Sequence, residues 1–221
     1  MSFQDAIEDY RYLKNRGYPD KAALKLVSDH HRLNSVLRNC LFRAIFAYPD
    51  CENRRSKLMA AGDVEGHMLG VDWYNVLITV ESYLKGFPVF ISDDGLVRDS
   101  SGVHGSYKPG KITERGIGEI LSQITALKPS RVELFLDAPI SFSGDMAEEL
   151  RSRLSRTLSV PYSVSVFPSA DYPLKSFDGI VATADSIIID RVQIRRVFDL
   201  ARHVVETSFG TQIPAVRALG E

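Results

Sequence analysis

Cysteine is scarce in this sequence, with two residues, Cys40 and Cys51, among 221. Two thiols cannot frame a disulfide scaffold, and without a second pair they do not complete a zinc site, so we interpret them as buried or incidental. No stretch approaches the roughly 18 consecutive apolar residues of a membrane-spanning helix. The N-terminus MSFQDAIEDYRYLK carries acids and lacks the apolar region of a secretion signal. We therefore expect a soluble, cytoplasmic protein.

A large net charge of either sign is also absent. Lys and Arg number 27 against 28 Asp and Glu, which gives a net charge of −1 and excludes a chain that is basic throughout. Between Arg11 and Lys57, however, eleven basic residues stand against four acidic ones, a local surplus of seven. This asymmetry fits docking to a polyanion. A solvated helical face explains it equally well.

Periodicity divides the chain into a helical part and an α/β part. Residues 1–65 have apolar positions at helical spacing and no β-branched runs, and RLNSVLRNCLFRAIF is the clearest helix. Residues 53–67 have mixed charge, two glycines and no apolar run. The boundary is placed there, so that a small all-helical module over 1–65 precedes an α/β domain over 66–221.

Short apolar runs alternate with helical patterns in the second part. The predicted strands are HMLGVD, FPVFISDD, RVELFLD, PYSVSVFPS and DGIVATAD. The predicted helices are NVLITVESYLKG, ITERGIGEILSQITALK, SGDMAEELRSRLSR and IDRVQIRRVFDLARHVVE. This order predicts a Rossmann-like, three-layer α/β/α domain with a mostly parallel sheet. Ligands bind outside the carboxyl ends of the strands in such a sheet.

Aspartates follow four of the predicted strands. They are Asp72 after MLGV, Asp93 and Asp94 after VFIS, Asp137 after VELFL, and Asp185 after IVATA, with Asp190 five residues later. Like charges at close range repel, so such a cluster is unfavourable unless a cation shares it. Mg²⁺ or Mn²⁺ fits, because these hard ions accept carboxylates and often coordinate phosphate. A structural alternative stays open, since Asp at a strand end also caps the next helix.

Three segments resemble motifs of a known superfamily. GVDWYNVL is similar to the start of PIN-like and NYN ribonucleases, in which the first strand ends in a catalytic Asp and an Asn follows three residues later. VELFLDAPISFSG and DGIVATADSIIID resemble later superfamily segments that each supply another acid. The resemblance covers about residues 67–206, with WY in place of the usual small residue after the first acid. Nearly the whole chain is similar to an uncharacterised prokaryotic domain-of-unknown-function family with a helical N-terminal module.

The resemblance implies a metal-dependent nuclease that hydrolyses phosphodiester bonds, with RNA expected before DNA. It implies that Asp72, Asp137 and Asp185 bind the metal, and that Asn75 orients the first acid or the scissile phosphate. Asp190 would be an accessory metal ligand. Asp94 has no counterpart in the matched motif, and we expect either Asp94 or Asp190 to assist catalysis through a bound water. Divalent ions held by carboxylates can activate water and neutralise the transition state.

Two loops carry candidate substrate contacts. The long polar loop VRDSSGVHGSYKPGK offers Arg98, His104 and Lys108 for phosphate, or is a solvated connection. In DAPISFSGD, Ser141 and Ser143 either hydrogen-bond a phosphate or cap the helix that follows.

The N-terminal module offers a second candidate surface for nucleic acid. DKAALKLVSDHHRLNSVLRNCLF has a helix–short turn–helix layout, with Arg32 and Arg43 as candidate substrate contacts. His30 and His31 are adjacent and would diverge on a helix, so we do not expect a metal pair there.

Three function classes follow from these observations. The first is the metal-dependent nuclease, and the second is a catalytically inactive PIN-like protein that binds nucleic acid. The third is another metal-dependent phosphatase or phosphotransfer enzyme, which is disfavoured because the first strand lacks a D-x-D pattern and no G-x-x-x-x-G-K-[ST] loop is present. We expect Mg²⁺ or Mn²⁺ as cofactor and nucleic acid rather than a membrane as partner. The sequence leaves open whether the protein forms a homodimer.

Overall fold

The N-terminal part of the chain is helical, as predicted. The computed structural model describes residues 2–101, 109–191 and 193–220. Four helices come first: α1 (Phe3–Asn15), α2 (Asp20–His30), α3 (Ser35–Ala44) and α4 (Tyr48–Arg55). A 3-10 turn, Ala61–Asp63, leads into the first strand. No helix in the described ranges is long and apolar enough to cross a membrane.

The α/β part follows the predicted alternation closely. Its strands are β1 (Met68–Asp72), β2 (Val89–Ile91), β3 (Val97–Asp99), β4 (Arg131–Asp137), β5 (Tyr162–Phe167), β6 (Ile180–Ala182) and β7 (Val197–Phe198). Its helices are α5 (Trp73–Leu84), α6 (Lys111–Ala126), α7 (Ser143–Thr157), α8 (Asp171–Leu174), α9 (Ser186–Ile189) and α10 (Leu200–Phe209). A 3-10 turn spans Val216–Gly220.

Five strands form one parallel sheet in the order β5-β4-β1-β6-β7. The predicted mixed α/β fold with a parallel sheet is confirmed. Strand β1 lies at the centre, with β4 on one side and β6 on the other. The chain builds outward from β1 through β4 to β5, and then returns to place β6 on the opposite side. A reversal of this kind opens a crevice at the carboxyl ends of the strands around β1.

The two faces of the sheet are covered unequally. Alternate side chains of β4 point to opposite faces, so Leu134 and Leu136 join a core with α5, α6, α7 and α10, whereas Phe135 joins another. That second core is closed by the one-turn helices α8 and α9 and by their flanking loops, through Leu174 and Ile188. One face of the sheet is therefore covered by a thick layer of long helices. The opposite face, next to α8 and α9, has only a thin cover.

Two predicted elements differ in the structure. FPVFISDD does not join the parallel sheet, because β2 pairs antiparallel with β3 in a separate two-stranded ribbon. IDRVQIRRVFDLARHVVE is not one helix: α9, β7 and α10 share this stretch. Its buried pair Val197 and Phe198 extends the sheet next to β6, and the carboxylate of Asp199 then caps α10 by accepting from the Arg202 N–H at 2.9 Å.

The helical part packs directly onto the α/β part. Phe90 of β2 is fully buried in the core formed by α1, α2 and α3. Beyond α4, the Met59 N–H donates to the Val197 carbonyl at 2.8 Å, and the Val197 N–H donates to the Lys57 carbonyl at 2.8 Å. The segment after α4 thereby continues the sheet past β7. The segment that pairs with β7, residues 57–59, comes before the predicted domain boundary near residue 65. Part of the predicted helical module therefore already belongs to the edge of the sheet.

Candidate metal and substrate cleft

The carboxyl end of β1 places two polar side chains at the centre of the sheet edge. Asp72 ends β1, and α5 begins at the next residue. The Asp72 side chain does not cap α5, so the capping alternative fails at this position. Instead, its Oδ2 accepts a hydrogen bond from the Thr183 hydroxyl at 2.8 Å. One turn into α5, Asn75 Oδ1 accepts from the Ala184 N–H at 2.8 Å. Both bonds tie the end of β1 to the segment that follows β6.

The neighbouring strands bring two further carboxylates to the same edge. Asp137 ends β4, and its Oδ1 accepts from the Ala170 N–H at 2.8 Å. Asp185 follows β6, and its Oδ1 accepts from the Ile187 N–H at 2.8 Å, which caps α9. Asp185 therefore caps a helix, as the structural alternative predicted, and also faces the cleft. Strands β4, β1 and β6 are adjacent, so the three acids share one edge.

A cleft of about 820 Å³ lies over this edge. Its floor includes Asp72, Asn75, Asp137 and Asp185. The helical part supplies the opposite wall, which contains Phe42, Arg43, Phe46 and Arg54. The N-terminal helices are therefore part of the cleft rather than a detached module.

Most other cleft acids are neutralised by a cation. Four pairs are present: Arg43 with Asp99 at 3.3 Å, Arg54 with Asp190 at 2.7 Å, Lys175 with Asp171 at 3.1 Å, and Lys14 with Asp20 at 2.6 Å. In the described part of the chain, Asp72, Asp137 and Asp185 have no Lys, Arg or His within ion-pair distance. Among the described residues, Asp50 of the helical part is the other cleft acid without an ion pair. The three acids that the sequence assigned to the metal are thus the ones at the sheet edge that lack a protein cation.

The pKa values of these three carboxyl groups reflect that environment. Burial, followed by the charges of Asp185 and Asp137, raises the pKa of Asp72 to about 8, against the lowering effect of the Thr183 hydrogen bond. Burial also raises the pKa of Asp137 and of Asp185, and the Asp171 carboxylate adds to both shifts. The edge is unfavourable for negative charge as it stands, and a bound cation would relieve this repulsion.

The three carboxylates line the cleft, but their oxygen atoms do not converge on one point. Among the described residues, no triad of Asp72, Asp137 and Asp185 has its ligand atoms all within 4.8 Å of one another. Mg²⁺ binds proteins through one or two carboxylates and keeps several waters, so it does not require all three carboxylates at one point. The all-oxygen donor set is also the one that Mg²⁺ and Mn²⁺ prefer.

Asp94, Arg98 and Asp190 form an internal network beside the cleft. Asp94 is fully buried, and its carboxylate accepts from Arg98 at 2.7 and 2.9 Å and from Arg54 at 3.1 Å. Burial alone would raise the pKa of Asp94, but the two guanidinium groups hold it below its ordinary value. The Phe46 ring lies 4.3 Å from Arg54 Cζ and 4.8 Å from Arg98 Cζ. Asp94 and Arg98, expected as catalytic and substrate residues, are engaged with each other.

The remaining predicted contacts are dispersed. Arg43 lines the cleft, and its Nε is buried without a hydrogen-bond partner. Arg32 is exposed in a left-handed conformation after α2 and lies outside the cleft lining. Ser141 is exposed, while the Ser143 hydroxyl donates to the Ala138 carbonyl at 3.3 Å. His104 and Lys108 fall outside the described residues.

Much of the basic surplus between Arg11 and Lys57 serves internal contacts. Arg11 holds both oxygens of Asp93 at 2.9 Å, and Arg54 bridges two further acids of the α/β part. The Lys57 ammonium donates to the Ile189 carbonyl at 2.6 Å. These cations attach the helices to the sheet, which reduces the charge available to an external polyanion.

Sequence reasoning did not assign a role to two residues of the site, Asp171 in the cleft lining and Thr183 behind it. Asp171 begins α8 shortly after β5, pairs with Lys175 at 3.1 Å and lines the cleft. The rule that an acid follows an apolar run would have found it in PYSVSVFPSAD. Thr183, which holds Asp72, stands two residues before Asp185 in the segment DGIVATADSIIID that resembles the superfamily, but its contact with Asp72 could not be predicted because the two are far apart in the sequence.

Two family models match different parts of the chain. A family model described as "Domain of unknown function (DUF5616)" matches residues 61–203, and one described as "Protein of unknown function (DUF434)" matches residues 2–57. The chain is 32% identical over 206 residues to "Uncharacterized protein MJ0935" of Methanocaldococcus jannaschii, which covers 93% of this chain and 98% of that protein. No solved structure matches at a significant level.

Proposed function

Since the chain belongs to the family described as "Domain of unknown function (DUF5616)", which names no activity, we propose a function from the cleft itself. The chain is a metal-dependent nuclease that hydrolyses phosphodiester bonds, in RNA rather than DNA, on a PIN-like core. It would act in the cytoplasm. One observation carries this proposal: three carboxylates without a protein cation share one edge of a parallel sheet inside an open cleft.

The proposed cofactor is Mg²⁺ or Mn²⁺, held by Asp72 with Asp137 and Asp185. Bound there, the ion would lower the pKa of a water and stabilise charge on the phosphate. The Asp190 carboxylate is bound by Arg54 through both oxygens at 2.7 Å, so Asp190 is excluded from the proposed ligand set.

The surrounding side chains orient this edge. The Thr183 hydroxyl fixes one oxygen of Asp72. Asn75 holds the Ala184 N–H, and thereby the backbone that carries Asp185. Across the cleft, the partly exposed guanidinium of Arg43 suits contact with a phosphate oxygen.

A second candidate is a catalytically inactive nucleic-acid-binding protein on the same core. The spacing of the three carboxylates favours it, because they do not close into a preformed three-ligand site. The two candidates differ in one respect, which is whether a bound nucleic acid is cut.

The test is cleavage of end-labelled single-stranded RNA and of DNA of the same sequence, with Mg²⁺, Mn²⁺ or a chelator. We expect metal-dependent cleavage of RNA that falls by more than about a hundredfold in Asp72→Asn and in Asp137→Asn. Asp178→Asn, at an exposed position, is the matched control and should keep full activity. Binding of RNA without cleavage at any metal concentration would reject the nuclease and support the second candidate.

A further inference from the structure

A second cluster of metal-binding side chains lies on the helical part. Asp9, His30 and His31 each offer a ligand atom, and these atoms lie within 4.8 Å of one another. We propose that these three residues bind a divalent transition-metal ion, with Zn²⁺ as the first choice. The proposal is independent of the function assigned to the cleft.

Local backbone geometry explains why the two histidines meet. Adjacent residues on a continuing helix would diverge, as the sequence led us to expect. Helix α2 ends at His30, however, and His31 is its cap, followed by Arg32 in a left-handed conformation with φ 53°. The chain turns at this point, and the two imidazole centroids lie 4.9 Å apart, nearly perpendicular at 87°.

Asp9 reaches this turn from the neighbouring helix. It lies on α1, which packs against α2, and its Oδ2 is 2.8 Å from His31 Nε2. The His31 side chain is only 3% exposed, while that of Asp9 is 58% exposed. One ligand is therefore fixed by packing, and the carboxylate can adjust from the solvent side.

The polar atoms of the cluster are incompletely satisfied. His31 Nδ1 is buried and has no hydrogen-bond partner. An unsatisfied buried polar atom costs about 1–3 kcal/mol, so proteins seldom retain one without a reason. In the described part of the chain, His30 makes a ring contact with His31 and no hydrogen bond. Two imidazoles and a carboxylate thus share a small volume with spare ligand capacity.

The donor set decides which metal fits. Imidazole nitrogen suits Zn²⁺ and related transition metals, whereas Mg²⁺ and Ca²⁺ prefer oxygen ligands alone. Zinc bound by two His and one acid keeps a fourth position for water. Zn–N and Zn–O distances of about 2.0–2.2 Å in a tetrahedral site place the ligand atoms about 3.3–3.6 Å apart, inside the 4.8 Å within which these three atoms lie. The exposed Asp9 side chain can adjust to that geometry.

The site is remote from the cleft. Asp20, at the start of α2, lines the cleft, whereas His30 ends the same helix. With a rise of 1.5 Å per residue, the two ends of α2 are roughly 15 Å apart. Asp9, His30 and His31 are absent from the cleft lining. A bound ion would join α1 to the turn between α2 and α3, which is a role in holding the helices together.

Titration of metal-free protein with Zn²⁺ tests the proposal. The Asp72→Asn protein is used as the background, so that binding at the cleft does not contribute. We expect one equivalent of Zn²⁺ to bind, and we expect Asp9→Asn and His30→Asn to weaken this binding by more than about tenfold. His67→Asn is the matched control, because His67 is an exposed histidine outside the cluster.

Two further measurements separate ligation from a folding effect. Co²⁺ in place of Zn²⁺ should give visible absorption bands that His30→Asn removes, while circular dichroism shows the variant folded. Zn²⁺ should raise the melting temperature of the background protein and leave that of His30→Asn unchanged. The proposal is overturned if Zn²⁺ binds the Asp9 and His30 variants as tightly as the background protein, or if no equivalent binds.

Discussion

Arg54 donates from Nε and Nη2 to the two oxygens of Asp190, each at 2.7 Å. The same guanidinium reaches the buried Asp94 through Nη1 at 3.1 Å. One side chain of α4 thus bridges two acids of the α/β part beside the cleft. Without Arg54, the buried Asp94 would keep only Arg98 as a cationic partner, and the partly exposed Asp190 would lose both of these hydrogen bonds.

We expect Arg54→Ala to lower the free energy of unfolding by about 2 kcal/mol or more, because its hydrogen bonds to two carboxylates are lost. Chemical denaturation with urea measures this difference. Arg195→Ala is the control, because Arg195 is exposed, and its effect should stay within about 0.5 kcal/mol. Equal effects of the two substitutions would contradict a structural role for the Arg54 bridge.

Asp72 should make the stability of the metal-free protein depend on pH. Its pKa is about 8 in the folded state and 3.8 in its ordinary state, so between these values the folded chain holds a proton that the unfolded chain releases. The free energy of unfolding therefore falls as pH rises through this window.

Asp72→Asn removes this charge and keeps an acceptor for the Thr183 hydroxyl. The variant should be more stable than the wild type at pH 9 by more than about 2 kcal/mol, with the advantage shrinking toward pH 4. Thermal melts in a chelator at both pH values measure it. A constant difference between pH 4 and pH 9, or the same trend in Asp178→Asn, would refute the assignment.

Addition of Mn²⁺ should make the wild type more stable than Asp72→Asn, the reverse of their order in a chelator. Mn²⁺ at about a hundred times its dissociation constant stabilises a folded site by about 2.7 kcal/mol. We expect the melting temperature of the wild type to rise with Mn²⁺ and to return when a chelator removes the ion. Asp72→Asn and Asp137→Asn should show little shift. A shift as large in these variants as in the wild type would exclude the carboxylate edge as the binding site.

Asn75 should act by positioning the backbone next to Asp185. Asn75→Ala removes the acceptor of the Ala184 N–H, and we expect a loss of about 1–3 kcal/mol in stability together with weaker Mn²⁺ binding. Asn39→Ala on the exposed face of α3 is the control. Calorimetric titration with Mn²⁺ gives the affinity of each variant. Unchanged affinity in Asn75→Ala would limit Asn75 to a stabilising role.

Two glycines in different surroundings provide a matched pair of Gly→Ala substitutions. A Cβ at Gly179 would lie 2.7 Å from the Met68 carbonyl oxygen and 2.4 Å from the Phe177 ring, so Gly179→Ala must push β1 and β6 apart. We expect a loss of about 1–3 kcal/mol or more. Gly118 in α6 has open space around it, and Gly118→Ala should stabilise the protein by about 0.5–1 kcal/mol. Urea unfolding of both variants measures the contrast in sign.

The sequence predicted those parts of the fold that depend on local pattern. Strands β1, β4 and β6 are short apolar runs followed by acids, so their place and the shared edge of Asp72, Asp137 and Asp185 could be deduced. The two-residue strand β7 could not, because its periodicity matched a helix and its partner β6 lies elsewhere in the chain. Local pattern also cannot reveal pairings such as that of Asp94 with Arg54, forty positions away.

The central position of β1 has a consequence for the order in which the protein forms. Leu69 pairs with Ile180, more than a hundred residues later, and closing so long a loop is an entropic cost that is met late in folding. A ribosome-bound chain that has not yet reached β6 lacks Asp185 and leaves one edge of β1 unpaired. The proposed nuclease would therefore stay inactive during its own synthesis, until nearly all of the chain has emerged.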